Sequence, residues 1–193
     1  MNLTVLFHGT WGGPEDWDIR TQDLCRRVFD SSVINYNWKP AHLAHLSRER
    51  AARVIAPSLI KWRTDNPDGI LTCIGQSHGG NVIFLLDRFI PREYYPNLVI
   101  TFGCPLMGFY DSDYSTLTSQ RPVGVRTKWL AVCSTNDGVQ VIGSVGRGLA
   151  NQRIDECCDE YLIYSDLHHR DMFNCPRVWS DIEKKIIEKK LFD

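Results

Sequence analysis

Ile70-Leu71-Thr72-Cys73-Ile74-Gly75-Gln76-Ser77-His78-Gly79-Gly80-Asn81 is the stretch on which the reading of this chain turns. Its first half is a short run of apolar and β-branched residues, the pattern of a buried strand. It then turns at Gly75-x-Ser77-x-Gly79 and enters Val82-Ile83-Phe84-Leu85-Leu86, which is apolar on every side. Two glycines flank the serine where a sharp strand-to-helix turn leaves no room for side chains. Such a turn exposes the serine Oγ above a helix N-terminus, whose unpaired N–H groups and partial positive charge suit an oxyanion. The five-residue pattern alone arises by chance in roughly one chain in twenty of this length. The strand before it and the apolar helix after it give it meaning.

Working outward, strands and helices alternate. Residues 3–7 form an apolar first strand, followed by the glycine-punctuated His8-Gly9-Thr10-Trp11-Gly12-Gly13. Pro14-Glu15-Asp16-Trp17 has the early proline and acidic first turn of a helix start, and that helix is predicted to run to about Phe29. Residues 32–38 read as a second strand. Leu43, Leu46, Ala51, Val54, Ile55, Leu59 and Trp62 recur near helical period, predicting a helix over 41–63 that stops at Asn66-Pro67-Asp68-Gly69. The strand over 70–74 and a buried helix to Ile90 come next, then strands over 98–102, 129–133 and 160–164 and a final amphipathic helix marked by Val178, Ile182, Ile186 and Leu191. Residues 108–124 have no clear period and read as a long surface loop, as do the glycine-rich residues 139–151. The expectation is one α/β domain over 1–193, with a mostly parallel sheet of about six strands and helices on both faces.

Composition narrows the function. With 193 residues the chain fits one core, and a formal net charge of -1 gives no electrostatic case for a nucleic-acid or membrane-surface partner. No apolar run approaches the ~18 residues of a membrane span, so no stable membrane anchor is expected. The N-terminus has no basic leader pattern. The seven cysteines are an odd count, and Cys73 and Cys133 lie in predicted core strands with Cys104 just after one, which favours reduced thiols and a cytoplasmic location. The vicinal Cys157-Cys158 lacks a second pair to complete a metal set.

A serine hydroxyl needs a base within hydrogen-bond reach, and the base needs a carboxylate to fix its tautomer. In a parallel sheet ligands gather at the carboxyl ends of strands, so the partners of Ser77 should follow strands. Asp137 follows the strand over 129–133; His168 and His169 follow the strand over 160–164. The chain order is Ser, Asp, His, the order that goes with a strand-turn-helix nucleophile.

Four segments resemble those of the α/β-hydrolases of the lipase/esterase kind, in order and over nearly the whole chain. Gly75-Gln76-Ser77-His78-Gly79-Gly80-Asn81 resembles the nucleophile elbow, and His8-Gly9-Thr10 the oxyanion loop. Thr101-Phe102-Gly103-Cys104-Pro105-Leu106-Met107-Gly108 is similar to the Gly-x-Pro segment after the next strand, and Ser134-x-Asn136-Asp137-Gly138-Val139 resembles the acid loop. The resemblance implies a compact, nearly lidless α/β-hydrolase fold and a serine hydrolase for carboxylic esters, with no cofactor or metal required. It implies Ser77 as nucleophile, Asp137 as acid and the backbone N–H groups of Thr10 and His78 as oxyanion donors. It favours His169 over His168 as base, because Met172 supplies the apolar residue three positions on. Trp11 and Met107 are expected to line the substrate pocket, and a small-molecule or lipid ester is the expected partner, with no nucleic acid.

Plainer readings stand beside these. Ser77 is alternatively a helix cap, Asp137 an ordinary Asn-Asp-Gly turn, and Asp111 or Asp113 an acid supplied one strand earlier. His8 reads as a loop brace. The His78 side chain is expected to face the cleft or solvent. His42 and His45 lie three apart but read as a solvated helix face, and residues 143–148 lack the lysine of a phosphate-binding loop. An acyltransferase using the same triad, or a non-catalytic binding module on the same fold, are the rival functions.

Overall fold

The computed structural model describes residues 1–10, 12–39, 45–105, 127–139 and 158–192. Six strands, β1 (Asn2–Phe7), β2 (Ser31–Tyr36), β3 (Leu71–Gln76), β4 (Leu98–Phe102), β5 (Lys128–Ser134) and β6 (Glu160–Tyr164), form one sheet in the order β2-β1-β3-β4-β5-β6. Every neighbouring pair is parallel. The expected mostly parallel sheet is therefore present, and its strands read as continuous apolar runs because both faces are covered. Among the described residues four α-helices accompany it: α1 (Ile19–Phe29), α2 (His45–Asp65), α3 (His78–Leu85) and α4 (Pro176–Lys189).

Alternation along the strands splits the core into two layers. Leu3, Val5, Phe7, Leu71 and Cys73 point to one face and pack with Ala52, Ile55 and Leu59 of α2 and Val82 and Leu85 of α3. Leu6, Ile74, Ile100, Phe102 and Val132 point to the other, against Cys25 and Phe29 of α1 and Val178, Trp179 and Ile182 of α4. Each such fully buried side chain contributes about 1.5–3 kcal/mol. Trp179 lies at the centre of the second layer, its indole N–H donating to the Phe173 carbonyl at 2.7 Å.

Boundaries moved where pairing or packing outweighs local pattern. The strand predicted over 70–74 runs on to Gln76 because Gly75 and Gln76 pair with Thr101 and Phe102 of β4. The strand predicted over 32–38 ends at Tyr36, which leaves Trp38 free to pack on His8. The helix expected over 41–63 is described from His45 and continues to Asp65 with Pro57 inside it. The helix expected to reach Ile90 ends at Leu85 and tightens into a 3-10 turn over Leu86–Arg88.

At the amino edge of the sheet, the buried Arg63 of α2 donates to the carbonyls of Gly69 and Tyr95 and to Asn97 Oδ1. Asn97 Oδ1 also accepts from the Leu71 N–H, so one guanidinium ties α2 to the starts of β3 and β4. Arg63→Met should lower stability by about 3 kcal/mol, since it strands several acceptors that now receive charged donors. Urea unfolding midpoints measure the loss, and reactivity at the opposite, carboxyl edge should not change.

Candidate active site

The sheet order reverses between β1 and β3: the chain first builds outward to β2, then crosses back to β3 and proceeds to β6. In an open parallel sheet this reversal opens a crevice at the carboxyl ends of the two strands. His8-Gly9-Thr10 leaves β1 there and Ser77 leaves β3 there, with Phe7 paired to Gly75 just below.

Ser77 has φ 52° and ψ −127°. Among the described residues Asp30 and Lys190 also have positive φ without being glycine, and both occupy the left-handed caps that end helices. Ser77 lies outside that well, a backbone state that costs about 1–3 kcal/mol and persists only where its surroundings over-determine it. Its N–H donates to the Phe102 carbonyl at 2.8 Å, and its carbonyl accepts from Gly80 at 3.0 Å. A Cβ on Gly79 would lie 2.2 Å from the Phe7 carbonyl oxygen and 2.7 Å from that of His8; one on Gly75 would lie 2.5 Å from the Gly80 nitrogen. Glycine at these positions lets α3 close down on β1. The helix-cap reading of Ser77 fails in one respect: it occupies the N-cap position, but its side chain makes no capping hydrogen bond.

The oxyanion-loop candidate lies against this turn. A Cβ on Gly9 would meet Gln76 Oε1 at 2.3 Å and Ser77 Cβ at 3.1 Å. His8 is fully buried, stacks on Trp38 at 5.5 Å and bonds its own loop through Nδ1 to the Gly9 carbonyl at 2.9 Å. Trp38 Nε1 in turn donates to the His8 carbonyl at 3.0 Å. His8 is thus a brace, as its sequence position suggested. Thr10 is buried next to it.

Acid and base candidates meet across two loops. His169 Nδ1 and Asp137 Oδ2 are 2.6 Å apart, with Asp137 fully buried. Asp137 Oδ1 accepts from the Val139 N–H at 2.9 Å, so the turn reading of this aspartate is true of one oxygen while the other holds the imidazole. A Cβ on Gly103, which has φ 54°, would lie 2.8 Å from both His169 Nδ1 and Asp137 Oδ2 and 2.9 Å from Met172 Cε. Since Ser77 bonds Phe102, the residue before Gly103, the pair and the serine converge on one corner of the β3–β4 edge. His168 is exposed, 3.4 Å from Asn136 through Nδ1. The apolar Met172 after His169 is completely buried. Trp11, Met107, Asp111, Asp113, His42, Cys157 and residues 143–148 lie outside the described residues. Among the described residues no cluster of three or more metal-ligating side chains occurs, and Cys25, Cys73, Cys104 and Cys175 are free thiols.

No family model matches this chain, and no curated protein matches its sequence. Solved structures do. The chain has the α/β-hydrolase fold. An esterase of Pyrobaculum calidifontis superposes with TM-score 0.65 at 14% identity, over 99% of this chain and 77% of that one. Carboxyl esterase 2 of the fungus Tuber melanosporum gives 0.62 at 13%, over 100% and 78%. An esterase of Pyrococcus furiosus gives 0.62 at 12%, over 97% and 82%. In this hydrolase fold no helix of the described residues is long and apolar enough to cross a membrane.

The His78 side chain is not turned to open solvent: the residue is buried, and its Nδ1 lies 3.3 Å from Arg48 Nη1 and 3.2 Å from Asn81 Nδ2. Both of those groups can only donate, so Nδ1 carries no proton and Nε2 does. Arg48, also buried, arrives from α2, thirty residues away in sequence, and no local pattern announces it. Burial, then the charge of Arg48 and the neighbouring His169, push the His78 pKa down to about 4 from 6.5. The unfolded chain therefore binds a proton below pH 6.5 that the native ring refuses, and stability contributed by His78 is full above 6.5 and drains away as pH falls toward 4. The loss should approach about 3 kcal/mol. Urea midpoints at pH 7 and 4.5 measure it, and His78→Gln should flatten the slope.

Proposed function

We propose that this protein is a serine hydrolase acting on carboxylic esters through an acyl-enzyme. What carries the reading is the strained, uncapped Ser77 at the elbow, on the same sheet edge as a 2.6 Å His169–Asp137 bond. That these fold neighbours are esterases supports the same reaction class.

Ser77 Oγ attacks the acyl carbon while His169 takes its proton; His169 then delivers that proton to the leaving alkoxide, and the alcohol departs. Water repeats the sequence on the acyl-enzyme, releasing the acid and restoring Ser77. Asp137, bonded at Nδ1, keeps the lone pair of His169 on Nε2 and stabilises the imidazolium that forms at each step. The backbone N–H groups of Thr10 and His78 hold the oxyanion, each such donor contributing about 10²–10³-fold in rate. The buried thiols of Cys25, Cys73 and Cys104 favour a reducing compartment, and the cytoplasm is the proposed location.

Labelling with a fluorophosphonate tests the assignment. Wild type should label, and Ser77→Ala and His169→Ala should each lose at least about 10³-fold in rate. His168→Ala should stay within about threefold of wild type, as expected of an exposed side chain outside the triad. Folded wild-type protein that does not label would instead favour a binding module on this fold, and transfer of the acyl group to an added alcohol in preference to water would favour an acyltransferase.

A further inference from the structure

The proposed acid and base are 32 residues apart and sit on separate loops, one after β5 and one after β6. Their 2.6 Å bond requires the two loops to keep a fixed separation. A catalytic group misplaced by 1 Å costs about a hundredfold in rate, so whatever sets that separation matters to the chemistry.

Ser134, the last residue of β5, stands at the junction and is 1% exposed. Its Oγ lies 2.5 Å from the carbonyl oxygen of Leu167, two residues before His169. The same Oγ accepts from the N–H of Asn136, one residue before Asp137, at 3.1 Å. The roles are not interchangeable. A carbonyl can only accept and an amide N–H can only donate, so the single hydroxyl proton goes to Leu167 and a lone pair goes to Asn136. Among the described residues one further backbone bond joins the two loops, from the Thr135 N–H to the Tyr164 carbonyl at 2.8 Å, and it holds the strand ends rather than the loop tips. The Asn136–His168 contact beyond it is 3.4 Å long and exposed.

We propose that Ser134 is the positioning residue of this site: its hydroxyl bridges the acid loop to the base loop and thereby fixes His169 against Asp137. The proposal rests on the hydrolase reading above. Ser134 touches neither substrate nor the reacting atoms. It acts through the imidazole–carboxylate pair, which separates it from a residue that merely caps a strand.

The distinguishing experiment is a double-mutant cycle on the full chain with a p-nitrophenyl ester. Ser134→Ala should lower kcat by about 10- to 100-fold with KM changed less than about threefold, because it disturbs a geometry that matters in the transition state. In the Asp137→Asn background the same change should cost less than about threefold, since the pair it serves is already broken. Ser134→Thr and Ser134→Val, which match in shape and differ in the hydroxyl, repeat the comparison should Ser134→Ala not fold: Thr should restore kcat and Val should not. Proton NMR gives a readout independent of turnover, since the downfield Nδ1–H resonance of His169 should be present in wild type and lost in Ser134→Ala. A Ser134→Ala enzyme that keeps both that resonance and its kcat overturns the proposal, as does a loss that persists undiminished beside Asp137→Asn. A wild type with the resonance and no ester turnover overturns the hydrolase reading instead, while loss of the resonance in Ser134→Ala would still support the bridge.

Discussion

The contact on which the rest depends is backbone against backbone: Gly79 of α3 pressed onto the carbonyl oxygens of Phe7 and His8 at the end of β1. A single added methyl group would sit 2.2 Å from one of those oxygens, well inside any tolerable separation. Because nothing intervenes, the helix can start directly beneath the serine, and the serine is forced into a backbone state it would not choose. The same closeness brings the loop after β1 alongside Ser77. The strain of one residue, the start of one helix and the position of one loop are thus consequences of one missing side chain.

The sheet order supplies the remaining placement. Reversal at β1 and β3 opens the crevice, and the run β3-β4-β5-β6 carries the later residues out along one edge. Gly103, after β4, is the pivot of this arrangement. Its Cα faces the His169–Asp137 pair from one side, and the Ser77 N–H is bonded to the preceding residue. Held at left-handed φ and without a Cβ, Gly103 leaves room for the imidazole and the carboxylate to meet.

Much of this was legible in the sequence because buried parallel strands advertise themselves. The strands over Leu98–Phe102 and Glu160–Tyr164 fall where apolar and β-branched residues predicted them, and each chemically interesting residue follows a strand. The elbow was legible from glycine spacing, since close approach permits little else. Adjacent histidines were harder: in the sequence Met172 alone favours His169 over His168, and in the fold the reach to Asp137 separates them. The environment of His78 was invisible, because Arg48 joins it from another helix. Ser134 was hidden for a related reason. A serine ending a strand looks ordinary until the loop of another strand is brought to its hydroxyl.

The most direct measurement of the central claim is mass spectrometry of enzyme quenched during turnover of a carboxylic ester, followed by peptide mapping. The account requires the acyl mass on the peptide that carries Ser77, and on no other nucleophile. Hydrolysis without any covalent acyl group, in a quench fast enough to catch one, or acylation of a different residue such as a cysteine, would contradict it.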